Sequence, residues 1–235
     1  MEDIVRNLSV VRQRVARVAE RARRDLRSIR LVGVSKKFPH TAVQAASNAG
    51  LSDFGENRVQ EALDKIGRVA HLVHVSWHLV GHLQSNKVRK AVGVFDWIHS
   101  LDSNALLRRI AQAITPSTKS PRLLVQVNLT GEITKHGASI EEARRIFDAA
   151  AAHTVVRVRG LMTLPPWSDD PERTRPYFTK LRDLRDRFLD EGVDPTMLTE
   201  LSMGMSQDLE VAIEEGATMV RVGTAIFGRR PRPSD

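Results

Sequence analysis

Eight short apolar runs, rich in valine, leucine and isoleucine, recur along this chain, and stretches with helical periodicity separate most of them. The runs occupy residues 31–34, 51–54, 75–80, 94–98, 123–127, 156–162, 198–203 and 219–222 and read as strands. The helical stretches are clearest over 41–49, 58–69, 104–114, 140–152, 176–191 and 207–215. Two strands joined through a helix run parallel, because the helix carries the chain back to the starting end before the next strand begins. Eight such units without a break in composition favour closure into a (β/α)8 TIM barrel, an α/β fold, with an open doubly wound sheet as the structural alternative. The proline-marked stretches 116–121 and 165–171 read as loops, since strand-like runs resume after them on the same rhythm. Residues 1–235 are therefore expected to form one domain. Within it, residues 1–28 carry Ile4, Leu8, Val11, Val15 and Val18 at helical spacing, which predicts an extra amphipathic N-terminal helix packed outside the barrel.

Lysine and arginine exceed aspartate and glutamate by 36 − 28 = 8, so anionic ligands are favourable partners. Much of the excess falls before residue 30, with the arginines lying mainly between the apolar positions. That pattern reads as the solvated face of a helix, and no nucleic-acid partner is expected. A basic RNA-binding module using Arg21, Arg23 and Arg24 is the rival. The chain has no cysteine, which excludes disulfides, thiolate nucleophiles and cysteine-held metals. No apolar run approaches a membrane span and the N-terminus lacks the apolar core of a signal peptide, so a cytoplasmic protein with no membrane partner is expected. No metal is expected either, because His71, His74 and His78 lack the spacing of a helical zinc pair.

In a barrel of this kind chemistry belongs at the carboxyl ends of the strands. The polar residues there include Ser35 and Lys36, Glu56 and Asn57, His82, Gln84 and Asn86, Ser100 and Asp102, Asn128 and Lys135, and the turns 202–206 and 221–224. Such a ring could line one pocket. Lys36 ends the first strand, and an amine that attacks a carbonyl must be partly deprotonated, which a desolvated strand end near Arg221 favours. Lys37 has the opposite parity and points elsewhere. Gly204 and Gly223 follow the last two strands, where small residues let backbone N–H groups reach an anion, and Ser206 and Thr224 add hydroxyls. Together these features suit a phosphorylated carbonyl compound. Ser206 has an alternative role as the cap of helix 207–215. Arg221 lies inside an apolar strand and needs an acceptor, either a ring nitrogen of a ligand or a buried ion pair with Glu56 or Asp208. Glu56 with Asp208 is also the only loose candidate for a glycosidase carboxylate pair.

The text Val34-Ser35-Lys36, Phe54-Gly55-Glu56-Asn57, the run from His78 to Lys87, and Arg159-Gly160-Leu161-Met162 resembles the pyridoxal phosphate homeostasis proteins, also called pyridoxal phosphate-binding proteins. The run from Leu201 to Ser206 and that from Met219 to Gly228 extend the resemblance over nearly the whole chain. It implies a barrel like the N-terminal domain of alanine racemase, a fold-type III arrangement, that is a monomer or a weak dimer. It implies pyridoxal 5′-phosphate (PLP) as cofactor, held as a Schiff base on Lys36. Ser206, Gly223 and Thr224 would then hold the phosphate, Arg221 would face the pyridine nitrogen, Asn57 would sit near the ring and Met162 would pack beside it. The family implies a role in vitamin B6 homeostasis, with apo PLP-dependent enzymes as partners and no assigned turnover. Phe38, Arg58 and His82 depart from the usual pattern. Because Phe38 replaces a second lysine, Lys37 or Lys135 would have to assist any transfer of the cofactor. A PLP-dependent racemase-like enzyme is the alternative, but the one tyrosine, Tyr177, falls in an expected outer helix.

Overall fold

The computed structural model describes residues 2–132 and 136–229, and the expectation for Lys135 lies outside them. Eight parallel strands close in sequence order into a barrel: β1 (Arg30–Val34), β2 (Asp53–Glu56), β3 (Ser76–Leu79), β4 (Trp97–Leu101), β5 (Arg122–Gln126), β6 (Arg157–Met162), β7 (Glu200–Ser202) and β8 (Met219–Val222). Closure is made by β1 pairing with β8, with Val32 opposite Arg221. The open sheet is thereby excluded. Helices α1 (Glu2–Arg21), α2 (His40–Asn48), α3 (Val59–Arg68), α4 (Val88–Val92), α5 (Asn104–Ala113), α6 (Ile140–Ala151), α7 (Arg175–Asp190), α8 (Leu209–Glu214) and α9 (Thr224–Phe227) surround it.

Two strands, β2 and β4, run on past the ends of their apolar runs, and both carry buried polar residues there. Glu56 ends β2, fully buried, because Lys65 of α3 meets it at 2.6 Å. His99 and Ser100 lie buried in β4. A rule that equates buried strands with apolar runs stops short of both. Helix α4 escapes periodicity altogether, being only five residues long.

Alternation along the strands sorts residues between the lumen and the helical layer. A Cβ at Gly55 would meet Val32, Val34 and Val80, whereas one at Gly33 would meet Leu51 and Phe227. The first set therefore faces the lumen and the second the surrounding helices. The lumen holds a small apolar cluster of Trp97, Leu124, Met162 and Met219, separate from the main core between barrel and helices.

Helix α1 packs on α2, α8 and α9 through buried Leu8, Val11, Val15, Val18 and Ala19. Each such valine or leucine contributes about 1.5 to 3 kcal/mol by leaving water. Its arginines take part in this docking. Arg14 pairs with Glu210 at 2.6 Å, Arg21 pairs with Glu214, and Arg12 donates to the carbonyls of Ala49 and Gly50. Just past the helix, Arg24 donates to the carbonyls of Ile213 and Ala217. Two of the three arginines in the RNA-binding rival are thus occupied in holding the N-terminal segment. Among the described residues no helix is long and apolar enough to cross a membrane.

Candidate cofactor site at the barrel mouth

A cavity of about 710 Å³ opens at the carboxyl ends of the strands, lined by Lys36, Asn57, Ser206, Arg221, Gly223 and Thr224 among others. Six of the seven residues singled out from sequence are therefore brought together. Met162 is the exception. Its side chain is fully buried against Trp97, Leu124 and Met219 in the lumen and does not line the cavity.

Several other residues of the expected ring turn away. Ser35 and Glu56 are fully buried and bond each other at 2.5 Å, with Lys65 Nζ donating to both the Ser35 carbonyl and the Glu56 carboxylate. Burial raises the Glu56 carboxyl above its usual range, partly offset by the Lys65 charge. Strand parity accounts for this: Asp53 and Gly55 face the lumen, so Glu56 faces α3. Neither Ser35 nor Glu56 reaches the cavity, and Glu56 with Asp208 makes no catalytic pair. Lys37 is exposed and holds φ at +66°, a left-handed backbone in which its N–H donates to Glu61. Tyr177 lies on α7 beside Lys180, away from the cavity lining.

The two glycine turns are tied to each other. Ser206 Oγ accepts from the Ala225 N–H at 3.3 Å, and the Arg221 N–H donates to the Gly204 carbonyl at 2.9 Å. Ser206 does not cap a helix, because α8 starts at Leu209, and Asp208 instead accepts from the Met205 N–H at 2.6 Å. Gly204 is required in a strict sense. Its φ is +90°, and a Cβ there would lie 2.4 Å from that of Ala212. From outside, Arg14 of α1 donates to the Ser206 carbonyl at 3.1 Å.

Arg221 is buried in β8, and neither suspected carboxylate partner takes its guanidinium. Nη1 donates to Ser202 Oγ at 2.6 Å and Nη2 to the Thr163 carbonyl at 2.9 Å. Burial lowers its pKa to about 10, with a weak opposing pull from the Asp208 charge, so it remains a cation at neutral pH. Beneath it runs a chain of buried hydrogen bonds that periodicity could not reveal. Ser202 Oγ lies 2.9 Å from His99 Nδ1, His99 Nε2 lies 2.9 Å from His78 Nδ1, and His78 Nε2 lies 3.1 Å from Asp53 Oδ1. Asp53 can only accept, which fixes the direction of every bond above it. His78 and His99 each carry their proton on Nε2, the Ser202 hydroxyl donates to His99, and Ser202 Oγ is left to accept from Arg221. Both imidazoles are neutral, since burial lowers their pKa values, that of His99 further. His78 is thus a lumen residue, while His71 and His74 bond Gln44 and Ser47.

Apolar walls complete the cavity. Val34, Phe38, Val80, Leu164 and Trp167 line it. Of these, Phe38 was read only as a missing lysine. Leu164 and Trp167 sit in a proline-rich loop, where no periodicity marks a wall. Among the described residues lining the cavity there is no histidine, tyrosine or carboxylate.

A family profile described as "Alanine racemase, N-terminal domain" matches residues 7–231. The chain is 44% identical over 223 residues to the pyridoxal phosphate homeostasis protein of Aquifex aeolicus, spanning 95% of this chain and 96% of that one. PipY of Synechococcus elongatus, solved with PLP bound, superposes with a TM-score of 0.84 at 39% identity, covering 96% of this chain and 100% of that one. Alanine racemase from Clostridium difficile has the same fold at a TM-score of 0.77 and 14% identity, and this chain covers 58% of it.

Proposed function

Since the chain belongs to the pyridoxal phosphate homeostasis protein family, we propose that its barrel mouth holds PLP and that the protein buffers this cofactor in the cytoplasm for apo PLP-dependent enzymes. The observation that carries this reading is the meeting of Lys36, the tied turns at Ser206 and Gly223, and Arg221 around one cavity. These residues fit the group. A buried arginine whose protein partners are a hydroxyl and a carbonyl suits an uncharged ring nitrogen. The volume lies within the range of small-molecule sites, about 300 to 1,000 Å³.

When bound, the cofactor supplies an aldehyde that condenses with a primary amine and a conjugated ring that withdraws electrons. Lys36 provides that amine from the end of β1. Ser206 and Thr224 offer hydroxyls, and the backbone at Gly223 offers an N–H, to the phosphate. Arg221 would donate toward the ring nitrogen and disfavour a proton there, which would leave the ring a weaker electron sink. Asn57 and the apolar residues Phe38, Leu164 and Trp167, which line the same cavity, would enclose the ring and exclude water.

The chemistry favours a carrier over a racemase. Two-base racemisation needs an acid or base on each face of the substrate, and among the described residues lining the cavity no histidine, tyrosine or carboxylate stands opposite Lys36 to serve as the second. We place Tyr177 outside this chemistry and read the chain as a monomer or weak dimer. The test is the visible spectrum of the purified protein before and after borohydride reduction, with peptide mapping. A reducible chromophore on Lys36, absent from Lys36→Ala, is expected. A protein that stays colourless after incubation with PLP would overturn the reading, and rapid racemisation of an amino acid would overturn the carrier assignment.

A further inference from the structure

The loops that follow β3, β4 and β5 bring together three side chains that lie far apart in sequence: His82, Asp102 and His136. One ligand-capable atom from each lies within 4.8 Å of the other two. His82 Nδ1 stands 3.5 Å from Asp102 Oδ2, and the imidazoles of His82 and His136 stack with centroids 4.1 Å apart and planes 10° from parallel. We infer that these three side chains form a binding site for a first-row divalent cation, zinc before others.

Two imidazoles and one carboxylate are a donor set that zinc takes, with a fourth position left for water or another ligand. Tetrahedral zinc with bonds of about 2.0 to 2.2 Å sets its ligand atoms roughly 3.3 Å apart. The His82 to Asp102 separation is already close to that, and the exposed His136 ring, now parallel to His82, would turn out of the stack so that its in-plane lone pair meets the same point. The chain has no cysteine to compete for a thiophilic ion.

Local structure holds all three backbones. Asp102 directly follows β4, and its neighbour Ser103 caps α5 by accepting from the Leu106 N–H at 3.2 Å. Gln126, buried at the end of β5, donates to the His136 carbonyl at 2.9 Å. Gly81, just before His82, packs so closely on Asn57 that a Cβ would come 2.3 Å from its carbonyl oxygen. Among the described residues no other hydrogen bond engages either imidazole, so both are available to a cation. Val80 and Gly81 line the cofactor cavity, so a cation here would fasten three loops along the rim that the glycine turns do not form. The inference is independent of the cofactor reading.

The experiment uses the full-length chain without an affinity tag, dialysed against zinc and assayed for bound metal, with cobalt as a spectroscopic substitute. One equivalent of zinc per chain and the visible bands of four-coordinate cobalt are expected. His82→Ala and His136→Ala should each weaken zinc binding at least tenfold, Asp102→Asn should weaken it as well, and His153→Ala should not. Far-UV circular dichroism checks the fold of each variant, and His136, being exposed, keeps the test available if His82→Ala misfolds. Failure to bind zinc, equal affinity in His136→Ala, or loss of zinc in Lys36→Ala, which would assign the metal to the cofactor, each overturns the proposal.

Discussion

Two arginines enter the lumen of one barrel, and their partners differ in kind. Arg30, at the start of β1, donates to Asp53 at 2.9 Å, and that carboxylate also takes Ser52 at 2.6 Å and His78 at 3.1 Å. Burial alone would raise the Asp53 pKa, yet the bonds from His78 and Ser52 and the Arg30 charge hold it at about 2. Arg221, near the end of β8, has a hydroxyl and a carbonyl where Arg30 has a carboxylate. At the lower end the Arg30 charge meets a carboxylate directly, while at the upper end Arg221 is a buried positive charge with no ion pair among the described residues. Such a charge is costly, and its survival marks the mouth as the end arranged for a ligand. The histidine chain between them lets the lower carboxylate orient the hydroxyl that steadies Arg221.

The largest break in this comparison comes from Asp53→Ala. It leaves Arg30 and the His78 N–H without their shared acceptor, and loss of one partner from a buried charged network costs about 3 kcal/mol. Chemical denaturation should show that loss. Cofactor binding, measured on the folded variant, should change far less. A loss below about 1 kcal/mol would mean that the lower network contributes little to stability.

The histidines make the comparison sensitive to pH. His78 and His99 have folded pKa values below the unfolded 6.5, so under acid the unfolded chain takes up protons that the folded one does not. Their contribution is therefore present above about pH 6.5 and is lost as pH falls below it. Asp53, depressed from 3.8 to about 2, adds a second window in which stability falls between those two values. Unfolding free energies measured from pH 7 to 2 should show both declines, and His99→Gln should flatten the upper one only. A flat profile between pH 7 and 5 would show that the histidines are not neutral as the bond directions require.

Much of this arrangement was legible in the sequence because strand-end position alone brings Lys36, Asn57, Arg221 and Gly223 to one rim. The rhythm of apolar runs gave the barrel for the same reason: helical and strand periods differ and are local. The lumen was not legible. His78, His99, Asp53 and Ser202 sit on four strands, and only closure of the barrel makes them neighbours. Met162 lies beneath the cavity lining rather than in it, since a motif names a residue without giving its depth. His82 and Asp102 fell in the expected ring by strand-end position, but their meeting with His136 was hidden, because it depends on the shapes of three loops.

Arg221→Met sharpens the contrast with Asp53→Ala. Methionine fills much of the same volume and removes a buried charge, a replacement that is often neutral or stabilising in a folded protein. The apo protein should change by less than about 1 kcal/mol in unfolding free energy, the Thr163 carbonyl and Ser202 losing one donor each. PLP affinity should fall by about tenfold or more, the share of one charged hydrogen bond. Titration of the apo chain with PLP, followed by absorbance, separates the two effects. A large stability loss with unchanged PLP affinity would make Arg221 a structural residue like Arg30.

The smallest effect belongs to Lys37, on the same rim. Its φ of +66° places a side-chain-bearing residue in the left-handed region immediately after the proposed cofactor lysine. That backbone costs about 1 to 2 kcal/mol for most residues, and glycine adopts it freely while losing about 0.5 to 1 kcal/mol through its freer unfolded chain. Lys37→Gly keeps the N–H that donates to Glu61. It should therefore gain about 0.5 kcal/mol, seen as a rise of roughly 1 to 2 °C in the melting temperature of the apo protein. If the strain serves to aim Lys36, the same variant should bind PLP more weakly despite being more stable. A variant that gains stability and binds PLP as well as the parent would show that the turn stores strain without using it.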